Sequence, residues 1–192
     1  MTDQRLVLAS ASPRRLALLA QIGVTPERIV PTEIDESPFP RELPRTHALR
    51  VAREKAAAAA APSGCFILSA DTVICAGRRI LPKTETEAQA LACLRLLCGR
   101  RHRVFTAVVL RAPNGRQMER LVESTVTLAR LTPEQLGAYL SGGEWKGKAG
   151  GYAIQGQAAS FVRFLSGSYS NVVGLPLFET AQLLRGAGWS IP

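Results

Sequence analysis

Short apolar runs alternate with amphipathic stretches along the whole chain. Five runs have the length and composition of buried or half-buried strands: residues 6–9, 65–70, 104–110, 118–129 and 161–165. Five other stretches have helical spacing of apolar residues and start or stop signals at their ends: residues 13–22, 44–61, 84–98, 132–141 and 175–185. Strands and helices are mixed throughout, without an internal repeat or a flexible linker. The pattern predicts one α/β domain over residues 1–192.

Several local details follow from the same pattern. Thr84 to Glu87 fit a capping box at the start of the third helix. The polar residues 167–171 read as a turn, and residues 113–115 predict a hairpin turn between two strands. His102 follows a cluster of arginines, so we expect it on the surface rather than as a catalytic base.

Composition and charge narrow the function classes. With 192 residues, of which 46% are hydrophobic, the chain can bury a substantial core. The formal net charge of +9 favours polyanionic partners such as nucleotides, nucleic acid or an acidic membrane surface. The charge alone does not choose among them.

The cysteines and the apolar stretches indicate a reducing compartment. Four cysteines without a C-x-x-C pair, and only two histidines, provide no zinc framework, so we expect reduced and mostly buried thiols. The first residues lack the pattern of a signal peptide, and the uncharged residues 56–70 include breaks and are too few to span a bilayer. The sequence predicts a cytoplasmic protein without a membrane span.

An anion site is predicted where the first strand leads into the first helix. Ser12 suits the N-cap and the following proline suits the first helical turn, so backbone N–H groups point beyond the end of the strand. The hydroxyls of Ser10 and Ser12 and the guanidinium groups of Arg14 and Arg15 lie in the same segment, and phosphate is the anion that they suit. The alternative is ordinary capping beside solvated arginines.

Carboxylates occur at two further points. Asp71 follows the apolar residues 65–70, and a carboxylate at the end of a buried strand is costly unless it is paired or binds a metal. The alternative is a turn aspartate that accepts hydrogen bonds from nearby backbone. The proline-rich residues 31–40 predict a loop that carries three carboxylates, one of them Glu36.

Residues 144–156 combine glycines with two lysines, two aromatic residues and a glutamine. Such a composition is typical of a loop whose backbone approaches a ligand closely while its side chains recognise that ligand. The aromatic residues favour an ordered loop over a flexible one.

Four segments together resemble the Maf family of nucleoside triphosphate pyrophosphatases, in order and over nearly the whole chain. They are LASASPRR at 8–15, ADTV at 70–73, KAGGYAIQG at 148–156 and GSYSNVVGLPL at 167–177. The resemblance implies a fold similar to the inosine triphosphate pyrophosphatases: a mixed, elongated sheet flanked by helices, with a cleft between two lobes. It also implies hydrolysis between the α- and β-phosphates of a nucleotide, with a divalent cation, Mg²⁺ or Mn²⁺.

The resemblance also assigns roles to residues. It implies that Asp71 and Glu36 are the catalytic carboxylates and metal ligands, and it leaves open which of them orients water and which holds the metal. The residues implied to bind substrate are Ser10, Ser12, Arg14, Arg15, Lys55, Thr72, Lys83 and Gln155. Their positive charges would neutralise a triphosphate and stabilise the leaving pyrophosphate.

The segment at 148–156 resembles the branch that acts on dTTP and UTP. The amide of Gln155 can both donate to and accept from a pyrimidine edge, although it could also cap a turn. Two alternatives remain, the branch that acts on 7-methyl-GTP and a basic nucleic-acid-binding regulator, and the low aromatic content of 6% disfavours the second. The chain departs from the common family pattern at Thr84, Gly151 and Ala153. A homodimer is compatible with the resemblance, and a membrane partner is not expected.

Overall fold

A computed structural model describes residues 4–191 and shows a seven-stranded mixed sheet with helices on both faces. The strands are β1 (Arg5–Leu8), β2 (Arg28–Ile29), β3 (Cys65–Ala76), β4 (Arg79–Ile80), β5 (Arg101–Arg111), β6 (Gln117–Leu128) and β7 (Val162–Ser166). The helices are α1 (Pro13–Gln21), α2 (Pro44–Ala58), α3 (Glu87–Leu97), α4 (Pro133–Ser141), α5 (Tyr169–Val173) and α6 (Leu177–Gly186), with a 3-10 helix at Gln157–Phe161.

The sheet combines a parallel and an antiparallel half. Its order is β2-β1-β3-β5-β6-β7, and β4 pairs with the end of β3. β1 is parallel to β2 and β3, whereas β3, β5, β6 and β7 follow one another antiparallel. The mixed sheet flanked by helices that the sequence predicts is therefore confirmed.

Alternation along β3 supplies apolar side chains to both faces of the sheet. Phe66, Leu68 and Ile74 join the main core, together with residues of α1, α3 and α4. The intervening side chains of β3 face α2, whose sheet-facing residues are the alanines at 48, 52 and 56. Small side chains there let α2 approach the sheet closely.

Two local predictions differ from the structure. The polar segment predicted as a turn contains α5, because the Ser168 side chain accepts a hydrogen bond from the Asn171 backbone and caps one helical turn. The capping box of α3 is centred on Thr86 rather than Thr84. Thr84 is fully buried and donates from its hydroxyl to the carbonyl oxygen of Trp145 at 2.7 Å, so it ties two segments together instead of capping a helix.

One edge of β3 is open between two short partners. β1 pairs with β3 only as far as Leu68, and β4 pairs with it only from Cys75 onward. Within residues 4–191, no strand pairs with the stretch of this edge that lies between those two points. Side chains of β3 can therefore reach a cleft from the middle of the sheet.

All four cysteines are free thiols, and three of them are buried, as the sequence predicts. Of the helices formed by residues 4–191, none combines the length and the hydropathy needed to cross a membrane.

Candidate active site

A cleft of about 500 Å³ lies along the open edge of β3. It is bounded by the β1–α1 turn, the proline-rich loop before α2, the middle of β3 and the glycine-containing loop at 144–156. All of the residues predicted from the sequence to act in catalysis or to bind substrate line this cleft: Ser10, Ser12, Arg14, Arg15, Glu36, Lys55, Asp71, Thr72, Lys83 and Gln155. The fold thus brings these separate segments to one place.

Asp71 lies in the middle of β3, not at the end of a strand as the sequence predicts. Alternation turns it toward α2, the same side as Ser69, whose hydroxyl donates to the carbonyl oxygen of Ala52 at 2.7 Å. Lys55 lies three residues further along α2, and its Nζ donates to Asp71 Oδ1 at 2.9 Å. Both side chains are less than 10% exposed, so each offsets the cost of burying the other's charge.

Lys55 also connects Asp71 to the proline-rich loop. Its Nζ lies 2.9 Å from Glu36 Oε1, and Lys83 Nζ lies 2.5 Å from Glu36 Oε2. One ammonium group therefore bridges the two carboxylates predicted to be catalytic. Partial burial opposes ionisation of Glu36, but the hydrogen bonds from Lys83 and Lys55 outweigh it and hold the pKa of Glu36 below its usual range.

Arg15 binds protein groups at the base of the cleft. Its buried guanidinium donates to the Gly174 carbonyl oxygen at 2.8 Å, to Ser10 Oγ at 3.0 Å and to Thr72 Oγ1 at 3.2 Å. Burial lowers the pKa of Arg15, and the nearby Asp71 carboxylate opposes this shift. Arg15 therefore joins the β1–α1 turn, the middle of β3 and the turn after α5, and it contributes a positive charge to the cleft.

The start of α1 provides the next wall. Ser12 occupies the N-cap as predicted, but its side chain makes no capping hydrogen bond. Its backbone N–H donates to Ser10 Oγ at 3.2 Å. Burial lowers the pKa of Arg14, which stays charged because an arginine titrates far above neutral pH. A helix start beside an arginine suits a phosphate group.

The loop at 144–156, which the sequence predicts to approach a ligand, closes the opposite side, and more of its residues line the cleft than were individually assigned to the site. Gln155 was predicted, whereas Lys146, Lys148 and Tyr152 also line the cleft. Burial, and secondarily the neighbouring Arg14, lower the pKa of Lys148. The signal that could have found the two lysines was present, since both alternate with small residues in a ligand-approaching loop.

Two contacts order this loop against the rest of the fold. The backbone N–H of Thr84 donates to the Lys148 carbonyl oxygen at 3.1 Å. The hydroxyl of Tyr152 lies 2.7 Å from Nε2 of His102. The prediction of a surface His102 is wrong: the residue is 2% exposed, because it shares the inward face of β5 with Val104. Burial lowers the pKa of His102 to about 4, so it is neutral at pH 7.

The donor set of the cleft fits a divalent cation bound together with phosphate. Among residues 4–191, no group of three or more His, Cys, Asp or Glu side chains is arranged to hold a metal ion. Glu36 and Asp71 are nevertheless adjacent hard oxygen donors. Mg²⁺ commonly takes one or two protein carboxylates and completes its shell with water and substrate phosphates. The two carboxylates match that pattern.

The cleft as a whole is strongly basic. Within the described part of the chain, the side chains that line it include six lysines or arginines against two carboxylates. Such an excess of positive charge in a concave site concentrates anionic ligands. The arrangement can neutralise several phosphate groups at once while keeping two carboxylates beside them.

The chain is similar to several known proteins. A "dTTP/UTP pyrophosphatase" of Novosphingobium aromaticivorans is 58% identical over 190 residues, covering 98% of this chain and 94% of the relative. Another of the same name, from Caulobacter vibrioides, is 58% identical over 185 residues and 96% of each chain. A solved dITP/XTP pyrophosphatase of Mycobacterium abscessus aligns with 67% of this chain and 76% of its own, at 20% identity and a TM-score of 0.40. The family model described as "Maf-like protein" matches residues 5–187, and the chain belongs to that family.

Proposed function

We propose that this protein is a nucleoside triphosphate pyrophosphatase that hydrolyses dTTP and UTP to the nucleoside monophosphate and pyrophosphate. The observation that carries the proposal is the basic cleft in which Lys55 bridges the carboxylates of Asp71 and Glu36. Relatives that share nearly the full length of the chain are named dTTP/UTP pyrophosphatase, which supports the same activity and substrates here.

Binding begins with charge neutralisation. Arg14, Lys83 and Lys148 line the cleft, and a triphosphate placed among them loses much of the repulsion that a nucleophile meets at phosphorus. Arg15 is held by protein acceptors, so we assign it to support of the cleft floor and to long-range attraction rather than to several direct phosphate contacts.

The carboxylates carry the chemistry. The oxygen of a water molecule attacks the α-phosphorus, the bond to the oxygen that bridges the α- and β-phosphorus atoms breaks, and pyrophosphate leaves with that oxygen. A carboxylate of Asp71 or Glu36 orients the water and accepts its proton. Both are also the residues that would hold Mg²⁺ or Mn²⁺. When bound, that cation supplies charge neutralisation at the phosphate oxygens. Lys55 reduces the repulsion between the two carboxylates.

We place the nucleobase of the substrate on the side of the cleft that carries Gln155. Its amide has both a donor and an acceptor for the O4 and N3–H groups of thymine or uracil. We expect Gln155→Leu to reduce kcat/KM for dTTP by about 10-fold, because a polar base edge would lose its partners.

No observation favours 7-methyl-GTP as the substrate, and a homodimer and the exclusion of nucleic acid stay predictions. We also propose a reducing compartment, the cytoplasm, since all four cysteines are free thiols.

Pyrophosphate release from dTTP, UTP, CTP, GTP, ATP and 7-methyl-GTP, with Mg²⁺ or Mn²⁺, tests the proposal. We expect dTTP and UTP to be preferred, and Asp71→Asn to lower kcat by about 10²- to 10⁴-fold. Glu33→Gln is the matched control, because Glu33 is an exposed carboxylate of the same loop and lies outside the cleft. If folded wild-type protein releases no pyrophosphate from any of these nucleotides, the proposal is wrong.

A further inference from the structure

The loop that carries Glu36 is bound to α2 at two separate points. The first is the ion pair between Glu36 and Lys55 within the cleft. The second lies outside the cleft, where Arg50 Nη2 donates to the carbonyl oxygen of Ser37 at 2.9 Å. Ser37 follows Glu36 directly in the chain, so the second contact fixes the peptide next to the predicted catalytic carboxylate.

Arg50 is itself held in one orientation by the same loop. Its Nε donates to Glu42 Oε1 at 2.8 Å and its Nη2 to Glu42 Oε2 at 2.9 Å, which makes a bidentate pair. The guanidinium carbon lies 3.9 Å from the centre of the Phe39 ring. The Arg50 side chain is only 16% exposed and the Glu42 side chain only 5%.

The Glu42 carboxylate closes the arrangement. One of its oxygens accepts from the Phe39 backbone N–H at 3.0 Å and lies 3.0 Å from Nδ1 of His47, on the first turns of α2. The loop residues on both sides of the Arg50 contact are thus tied to α2. Because Lys55 is on the same helix, the Glu36 carboxylate is held over a fixed partner by one rigid element.

We propose that Arg50 is a positioning residue of the reaction: through Ser37 and Glu42 it holds the loop so that the Glu36 carboxylate meets Lys55 and faces Asp71. Arg50 does not line the cleft, so it acts on substrate only through Glu36. The expected kinetic effect of Arg50 rests on the proposed function, whereas the anchoring of the loop by Arg50 does not.

The kinetic experiment compares Arg50→Met with wild type and with Glu54→Gln. Glu54 also contacts Arg50, at 3.0 Å, but it is 41% exposed and belongs to α2 rather than to the loop, which makes Glu54→Gln the matched control. We expect Arg50→Met to lower kcat for dTTP by about 10- to 100-fold, because small displacements of a catalytic group have effects of this size. We expect KM to change by less than about 3-fold, since the phosphate-binding side chains are untouched.

Arg50→Lys separates charge from geometry. Lysine keeps the positive charge but lacks the planar fork that serves Glu42 and Ser37 together, so we expect it to restore only part of kcat. Rates are normalised to folded protein, measured well below the unfolding transition, so that a loss of stability alone does not lower kcat. A kcat of Arg50→Met within about 2-fold of wild type would overturn the inference, as would an equal loss in Glu54→Gln.

Hydrogen–deuterium exchange provides the readout that does not depend on activity. In Arg50→Met we expect amides of residues 31–43 to exchange faster, with α3 and β5 unchanged. Should this variant fail to fold, Phe39→Leu, which removes only the stacking surface, is expected to give a smaller change of the same kind. Unchanged exchange in the loop would refute the anchoring. If the loop exchanges faster in Arg50→Met as expected but wild-type protein hydrolyses no nucleotide, the anchoring stands and the proposed function is refuted.

Discussion

Glu42→Gln is expected to destabilise the protein at neutral pH and to have a smaller effect in acid. In the folded state the pKa of Glu42 falls from its ordinary value near 4.5 to about 2, chiefly because Arg50 donates two hydrogen bonds to it, and despite the opposing effect of burial. A carboxylate with a depressed pKa contributes stability that is fully present above the unfolded-state pKa and is lost as the pH falls through the folded-state pKa. The relevant window is therefore about pH 5 to pH 2.

The size of the stability effect follows from the pKa shift of Glu42. At 1.36 kcal/mol per pKa unit, ionised Glu42 contributes at most about 3 kcal/mol at pH 7 and about 1 kcal/mol at pH 3. The side chain is 5% exposed, but the residues on either side of it are exposed, so solvent screening makes these figures upper bounds. Glutamine keeps the shape of the glutamate side chain and some of its hydrogen bonds, and the stability that these retained contacts contribute does not depend on pH. The difference in unfolding free energy between wild type and Glu42→Gln should therefore shrink by about 2 kcal/mol between pH 7 and pH 3.

Urea denaturation followed by circular dichroism, at pH 7, 5 and 3, measures this difference. Glu54→Gln serves as the control, because Glu54 also pairs with Arg50 but is 41% exposed, and such pairs contribute less than about 1 kcal/mol. A difference between wild type and Glu42→Gln that is the same at pH 7 and pH 3 would refute the reasoning. It would mean that the carboxylate is not held in its ionised form by Arg50.

Three further predictions concern stability, each measured by urea unfolding at pH 7. Thr86→Ala removes the cap of α3 and should cost about 1 kcal/mol; no loss would mean that the capping box is dispensable. Tyr152→Phe deprives the buried Nε2 of His102 of its partner and should cost about 1–2 kcal/mol, and a neutral result would contradict the contact. Gly150→Ala should cost at least about 1–2 kcal/mol, because Gly150 has φ +65° and a Cβ there would lie 3.1 Å from Ile74; wild-type stability would show that the loop relaxes freely.

Much of the secondary structure was predictable because its signals are local. The helix that starts after Ser12 and the hairpin before β6 follow from capping and turn residues close in sequence. Failures occurred where a distant contact overrides a local signal. Thr84 resembles a cap but hydrogen-bonds the Trp145 carbonyl, and His102 follows arginines but lies on the inward face of β5.

Many of the residues that line the cleft were also predictable, since Asp71 and Gln155 lie in motifs that carry the family resemblance and the same resemblance implied Glu36. The ion pairs that these residues form were not predictable from the sequence. Asp71 meets Lys55 because β3 continues unbroken through a polar residue and because alternation turns that residue toward α2.

The sequence by itself determined the order of most strands and helices and the basic character of the protein, because hydrophobic spacing, capping and charge are properties of neighbouring residues. Its resemblance to a family added many of the residues that line the cleft. Only the tertiary structure decided which charges pair, which arginine supports the protein rather than the ligand, and how the loop of Glu36 is anchored. Arg15 and Arg50 show why. Their partners come from other elements of the fold, and such contacts depend on distances in space that no spacing along the chain encodes.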